Sequence, residues 1–206
     1  MDLSPLKTKK LIKQALENEN LRKAVKKATD SSIQSLGKIV DQIPYWEHLK
    51  KKNHLIKRDV IQNLDTYLSQ FEFNCKKNGI QVHWAINASE AREMILKLAK
   101  EKGVKRVVKS KSLTTEEIRI NEFLLRHHIE VIETDLGEYI VQLKNQMPSH
   151  LIVPALHLSR KDIARLFKEK LGCDYTEDPA QLLNIARSKL REKFLKADLG
   201  ITGVNF

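Results

Sequence analysis

Cysteine is scarce in this chain of 206 residues, and that scarcity closes off several chemistries at once. Cys75 and Cys173 stand far apart with no C-x-x-C spacing. A cubane iron–sulfur cluster takes four thiolates or close substitutes, so no cluster is expected in this chain, and free reduced thiols are. The histidines show neither H-x-x-H nor H-E-x-x-H spacing, so no metal site is expected. No run of eighteen or more apolar residues occurs, which excludes a membrane-spanning helix. The N-terminus MDLSPLKTKKLIKQAL has no apolar signal core, and a cytoplasmic location is expected. Aromatic residues make up 6% and do not interleave with basic ones, so no platform for base stacking is present.

Positive charge is abundant. The formal net charge is +11, and residues 1–60 carry 14 Lys+Arg against 7 Asp+Glu. This basic excess reads as solvated helix faces or as a docking surface for an acidic partner; nucleic acid is not an expected partner. With 41% apolar and 31% charged residues, the composition supports a core in the central part of the chain more readily than in its first sixty residues.

The apolar spacing divides the chain near residues 75–80. Residues 1–78 form the expected helical N-terminal segment, and 79–206 an α/β domain. Leu11, Ala15, Leu16, Leu21 and Val25 recur at helical spacing, Asp30-Ser-Ser suits the cap of a helix through Gln42, and Pro44 suits the first turn of the next. Leu55 to Phe71 continue an apolar stripe to Asn78-Gly79. Beyond it, strands are predicted at 80–85, 104–108, 129–132, 139–143 and 151–156. Helices are predicted from Asn87, from Thr114/Thr115, over 159–171 and over 178–196. This alternation implies a mainly parallel sheet.

Loops after strand ends are where open parallel sheets bind ligands. Lys109-Ser110-Lys111-Ser112 sits in such a loop without a glycine, so it is neither a P-loop nor a dinucleotide fingerprint. Its hydroxyls, ammoniums and N–H groups suit a phosphate or carboxylate, or form a polar strand-to-helix turn. Glu116 and Glu117 read as first-turn charges. Glu117 is four residues before Asn121, which puts both on one helix face toward that loop. Asp135, Gly137 and Glu138 follow the 129–132 strand as turn residues or ligand contacts, with Gly137 supplying a turn conformation. His150 and His157 flank 151–156 at opposite ends, and His157 is the histidine placed near a site. No catalytic triad or nucleophile elbow can be assembled.

In combination these motifs are specific. KSKS at 109–112, TEEI at 115–118 with Asn121, ETDLGEYIVQL at 133–143, PSH at 148–150, Pro154-Ala155, His157 and the tail ADLGITGVNF at 197–206 closely resemble the lactate-utilization protein B family. The resemblance runs from about Asp30 to Phe206. It implies a LUD domain with a fold like that of sugar-phosphate isomerases and CoA transferases. It also implies a role in oxidising L-lactate to pyruvate with other lactate-utilization proteins, electrons passing through [4Fe-4S] clusters held by a following cysteine-rich segment. The chain ends inside a motif that the family continues, so the domain is expected to be incomplete at its C-terminus, inactive alone and prone to self-association through an open sheet edge. Gly203 belongs to that motif. The alternative readings are a metal-free module that binds or transforms a small anionic metabolite, and a docking module for a redox partner.

Overall fold

The computed structural model describes residues 5–146, 148–149 and 153–203, with side chains from residue 8 onward. Its contacts fall into two compact units, Lys26–Trp84 and Met1–Val25 with Ala85–Phe206.

Four helices open the chain: α1 (Pro5–Glu17), α2 (Glu19–Asp41), α3 (Trp46–Gln62) and α4 (Leu64–Lys77). Helices α2, α3 and α4 bury no residue. Their order is local. Lys26 pairs with Asp30 at 3.0 Å, Lys50 with Glu47 at 2.8 Å and Lys76 with Glu72 at 2.6 Å, all one turn apart. Asn63 separates α3 from α4, its side-chain amide donating to the Asp59 carbonyl and carboxylate. Asp30 does not cap a helix as expected. α2 runs straight through it, because Asp30 is engaged by Lys26 four residues earlier. Pro44 lies just before α3 and not in its first turn. Residues 80–85 are not a strand either. Among the described residues no neighbouring strand offers them a ladder, and an extended segment without one leaves its backbone groups to solvent.

The second unit is α/β, as the alternation implied. Helix α5 (Ala88–Glu101) begins at Asn87, whose side chain accepts from the Glu90 N–H, and stops before Gly103, at φ +64°. Strands β1 (Arg106–Lys109), β2 (Glu130–Glu133) and β3 (Leu199–Ile201) form a parallel sheet in the order β2-β1-β3. Between β1 and β2 lie α6 (Leu113–Glu117) and α7 (Ile120–Arg126). After β2 come α8 (Leu136–Lys144), α9 (Arg160–Leu171) and α10 (Pro179–Leu195).

Strand alternation sends side chains to both faces. Val107 and Val131 pack with Leu96 and Ala99 of α5 and Ile120 and Leu124 of α7. Val108 and Ile132 pack with Tyr139 of α8 and Leu190 of α10. A third cluster joins α8, α9 and α10 through Ile140, Phe167 and Ala186. Ser159 and Asp162 form a reciprocal capping box at the start of α9.

Two predicted strands are corrected. Residues 139–143 belong to α8, because Asp135 caps a helix by accepting from the Gly137 and Glu138 N–H groups. The apolar run Tyr139–Val141 is buried there on a helix, a case that periodicity does not separate from a buried strand. Of 151–156, residues 154–156 lie in a turn that extends to His157, closed by bonds such as Leu156 N–H to the Val153 carbonyl. Leu151 and Ile152, with His150, lie outside the described residues. The tail supplies a strand where none was predicted. Asp198 accepts from the Lys105 and Arg106 N–H groups at 2.9 Å, which sets β3 in parallel register with β1.

Candidate functional site

Because β1, β2 and β3 are parallel, their C-terminal ends lie together. Lys109 is in register with Glu133 on one side and Ile201 on the other. Lys109 and Glu133 are each two residues after a core valine, so both side chains leave the sheet on the face that carries Val107 and Val131. There they meet. The Lys109 ammonium is 2.9 Å from Glu133 Oε1 and 2.9 Å from Glu116 Oε1, and it donates to Thr115 Oγ1 at 3.1 Å. Lys109 is 0% and Glu133 3% exposed, so this ion pair is buried. Burial opposes the ammonium, but the carboxylates of Glu116 and Glu133 hold its pKa above the ordinary lysine value.

Each neighbour is positioned by a local device. Ser112 Oγ accepts from the Thr115 N–H and starts α6, which places Thr115 and Glu116 over Lys109. Arg119, at φ +53°, breaks α6 from α7 and re-aims the chain so that Asn121 donates to Glu133 Oε1. On the other flank Gln142 of α8 brackets β2: its Oε1 accepts from the Glu133 N–H and its Nε2 donates to the Val131 carbonyl. Glu138, 7% exposed, lies 3.8 Å from the Lys111 ammonium. Burial, followed by the charges of Glu116 and Glu133, pushes the Glu138 pKa up. Burial likewise raises that of Glu133, against the pull of Lys109 and Asn121. A cavity of about 240 Å³ opens over this cluster, lined by Glu116, Asn121, Glu133, Glu138, Gln142 and Gln146 among others.

The LUD domain family profile matches residues 68–206. The chain belongs to the LUD domain family. This LUD-domain chain is 40% identical to lactate utilization protein B of Bacillus cereus strain AH820 over 206 residues, which is 100% of the chain and 44% of that protein. It is 42% identical over 199 residues to lactate utilization protein B of Macrococcus caseolyticus strain JCSC5402, covering 96% of the chain and 42% of the relative. The chain therefore spans less than half the length of these curated relatives. No solved structure matches it.

Several residues singled out from the sequence meet at the strand ends of the LUD domain. Lys109, Ser112, Asn121 and Glu138 are in or against the cluster, with Lys111 beside Glu138. Gly203 joins them: a Cβ there would lie 1.9 Å from Ser112 Oγ, so only glycine lets the tail pass so close to this loop. Ser110 contributes its N–H, which donates to the Ile201 carbonyl and continues the β1–β3 ladder.

Others act differently. Glu117 is exposed and shares no face with Asn121, because the helix is broken between them at Arg119. Asp135 is the cap of α8. Gly137 supplies no left-handed turn; it sits in the first turn of α8, where a Cβ would meet Pro154 Cγ at 2.9 Å. His157 is not among the residues lining the cavity, though its Nε2 is 3.1 Å from Gln146 Oε1, and Gln146 is. Burial and then Lys144 lower its pKa.

Glu133, Glu116, Thr115 and Gln142 are members of the site that sequence reasoning passed over. The available signal was period two: Val131 and Glu133 repeat the Val107 and Lys109 pattern in the parallel partner. Glu133 reads instead as the first residue of a polar loop.

The residues present do not fit a [4Fe-4S] cluster. The chain has two cysteines, Cys75 and Cys173, and among the described residues no group of three or more His, Cys, Asp or Glu is placed to hold a metal ion. No helix of the described residues is long and apolar enough to cross a membrane.

Proposed function

We propose that this LUD domain serves a lactate utilization protein B as its metabolite-binding part, in the oxidation of L-lactate to pyruvate with other lactate-utilization proteins as partners. The observation that carries this reading is the 40% identity to such a protein along the whole chain. Electron transfer through [4Fe-4S] clusters is assigned to none of the described residues. The metabolite site is the group of strand ends, where a buried lysine–glutamate pair holds a fixed polar wall beside a cavity.

The test is a chimera. The stretch of the Bacillus cereus lactate utilization protein B that matches this chain is replaced by residues 1–206, in a strain lacking its own copy. Growth on L-lactate as carbon source is the expected outcome. A stably produced chimera that supports growth on glucose but not on L-lactate contradicts the proposal.

A further inference from the structure

The apolar stripe of the helical unit keeps a spacing of its own. Trp46, Leu49, Asn53, Ile56 and Val60 of α3 follow one another at steps of three and four residues. In the heptad notation abcdefg they hold positions a, d, a, d and a. One extra step of four, from Val60 to Leu64, is the kind of insertion that locally unwinds a coiled coil. Leu64, Tyr67 and Phe71 of α4 then resume as a, d and a. The backbone carries the seam across the break: the Asn63 N–H donates to the Asp59 carbonyl, and the Asn63 carbonyl accepts from the Tyr67 N–H. From Trp46 to Phe71 the seam is about 38 Å long at a helical rise of about 1.5 Å per residue. Nothing among the described residues covers it. Ile56, Val60, Leu64, Tyr67 and Phe71 are between 37% and 60% exposed. None of the hydrophobic clusters of the described residues includes a residue of α3 or α4. An uncovered apolar seam of this length suits a partner helix.

The flanks decide which partner. Positions e and g border a seam and set partner choice through charge. In α3 they are Lys50 and Lys57 at e, and Lys52 and Asp59 at g. Asp59 is already engaged, accepting from Asn63 Nδ2 at 2.9 Å and from the Tyr67 hydroxyl at 2.6 Å. Lys52 and Lys57 pair with no carboxylate among the described residues. A second copy in parallel would set Lys52 against Lys57. An antiparallel copy would set Lys50 and Lys57 of the two chains together. Like charges in these places disfavour both arrangements. An anionic membrane is the poorer fit as well, because a strict a/d seam is narrower than the apolar face of a helix lying on a bilayer, and Asn53 interrupts this one.

We propose that α3 and α4 dock an amphipathic helix of a partner protein, one with an apolar a/d seam and carboxylates at its e and g positions. A polar residue at a single a position fixes register in such a pair, and Asn53 fills that role. The inference does not depend on what the strand ends bind.

The experiment titrates the intact chain into a fluorescently labelled synthetic peptide of four heptads, with leucine at a and d and glutamate at every e and g. Those glutamates keep the peptide from pairing with itself and serve either helix direction. Saturable one-to-one binding with a Kd below about 100 μM at low salt is expected, weakening as salt is added. The same peptide with lysine at e and g should bind at least about tenfold more weakly. Lys52→Glu/Lys57→Glu should reverse that order, and Val60→Asp should abolish binding of both peptides. Should either variant lose helix by circular dichroism, the two peptides on the parent chain decide alone. Equal binding of the two peptides, or none by either up to about 1 mM, overturns the proposal. So does a parent chain that sediments as a dimer and is split by Val60→Asp, because a second copy then fills the seam. Binding to phosphatidylglycerol vesicles without binding to the glutamate peptide overturns it too. Growth of the chimera does not enter this test, so the two readings fail separately.

Discussion

Helix α3 and strand β1 are both rich in β-branched or long side chains, yet one buries nothing and the other almost everything. α3 holds Leu55, Ile56 and Val60 at 52%, 49% and 37% exposure. β1 holds Val107, Val108 and Lys109 at 0%, 7% and 0%. The difference lies in what each is tied to. The helical unit is organised by contacts one turn apart, and such exposed pairs contribute only about 0.3–0.5 kcal/mol each. The α/β unit is organised by contacts between distant parts of the sequence, such as Lys105 and Arg106 to Asp198, and Lys109 to Glu133. A site that must hold two charges in fixed positions needs the second kind of scaffold.

Breaking the charged pair should have the largest effect. Lys109→Met leaves Glu133 buried without its counter-charge and should destabilise the α/β unit by about 3–5 kcal/mol. Urea unfolding followed by a probe in each unit checks this. The transition reported from α3 should not move with the one reported from β1. Restoring neutrality in Lys109→Met/Glu133→Leu should recover most of the loss.

A matched pair of leucines comes next. Leu124 is 0% exposed between α7 and the sheet, and Leu55 is 52% exposed on α3. Leu124→Ala should cost about 2–5 kcal/mol. Leu55→Ala should stay within about 0.5 kcal/mol. Equal losses would mean that Leu55 is covered in solution, and the contrast between the units would fall.

Gly203→Ala should be smaller but specific, about 1–3 kcal/mol of overpacking against Ser112. Ser112→Gly in the same chain removes the Oγ and Cβ that the new methyl meets, and should return part of it. The loss of the Ser112 cap remains.

The smallest effect is a dependence on pH. Glu138 has its folded pKa raised by burial and by its carboxylate neighbours. A carboxyl whose pKa is raised on folding weakens the fold as pH rises through that folded value. Glu138→Gln should therefore stabilise the chain at neutral pH. The gain should vanish below the unfolded glutamate pKa, where Glu138 is itself neutral. Thermal melts of both chains over that range test the sign.

Much of this architecture was legible in the residues. The parallel sheet followed from the β-branched runs of β1 and β2 alternating with amphipathic helices, and Asn87 and Ser159 marked helix starts through their capping side chains. What was not legible depended on distant partners. Tyr139–Val141 is as apolar as a strand, and its helix is decided by the Asp135 cap and by packing against α9 and α10. Glu117 looked better placed than Glu116, on one helix face with Asn121, but Arg119 breaks the helix between them. Of the two, Glu116 reaches Lys109. The site's anion-binding look came from two lysines. Its acidic character comes from Glu133, which meets Lys109, and from Glu138, which lies beside Lys111, pairings that no local pattern announces.

Native-state hydrogen exchange tests the central contrast most directly. The amides of Val107, Val108 and Lys109 in β1 and of Val131, Ile132 and Glu133 in β2 should exchange only through global unfolding, with the full denaturant dependence of that transition. The amides of α3 and α4 should exchange faster, through openings that leave the sheet intact. Amides of α3 as slow as those of β1, with the same denaturant dependence, would show that the helical unit shares one cooperative core with the site and would contradict the account.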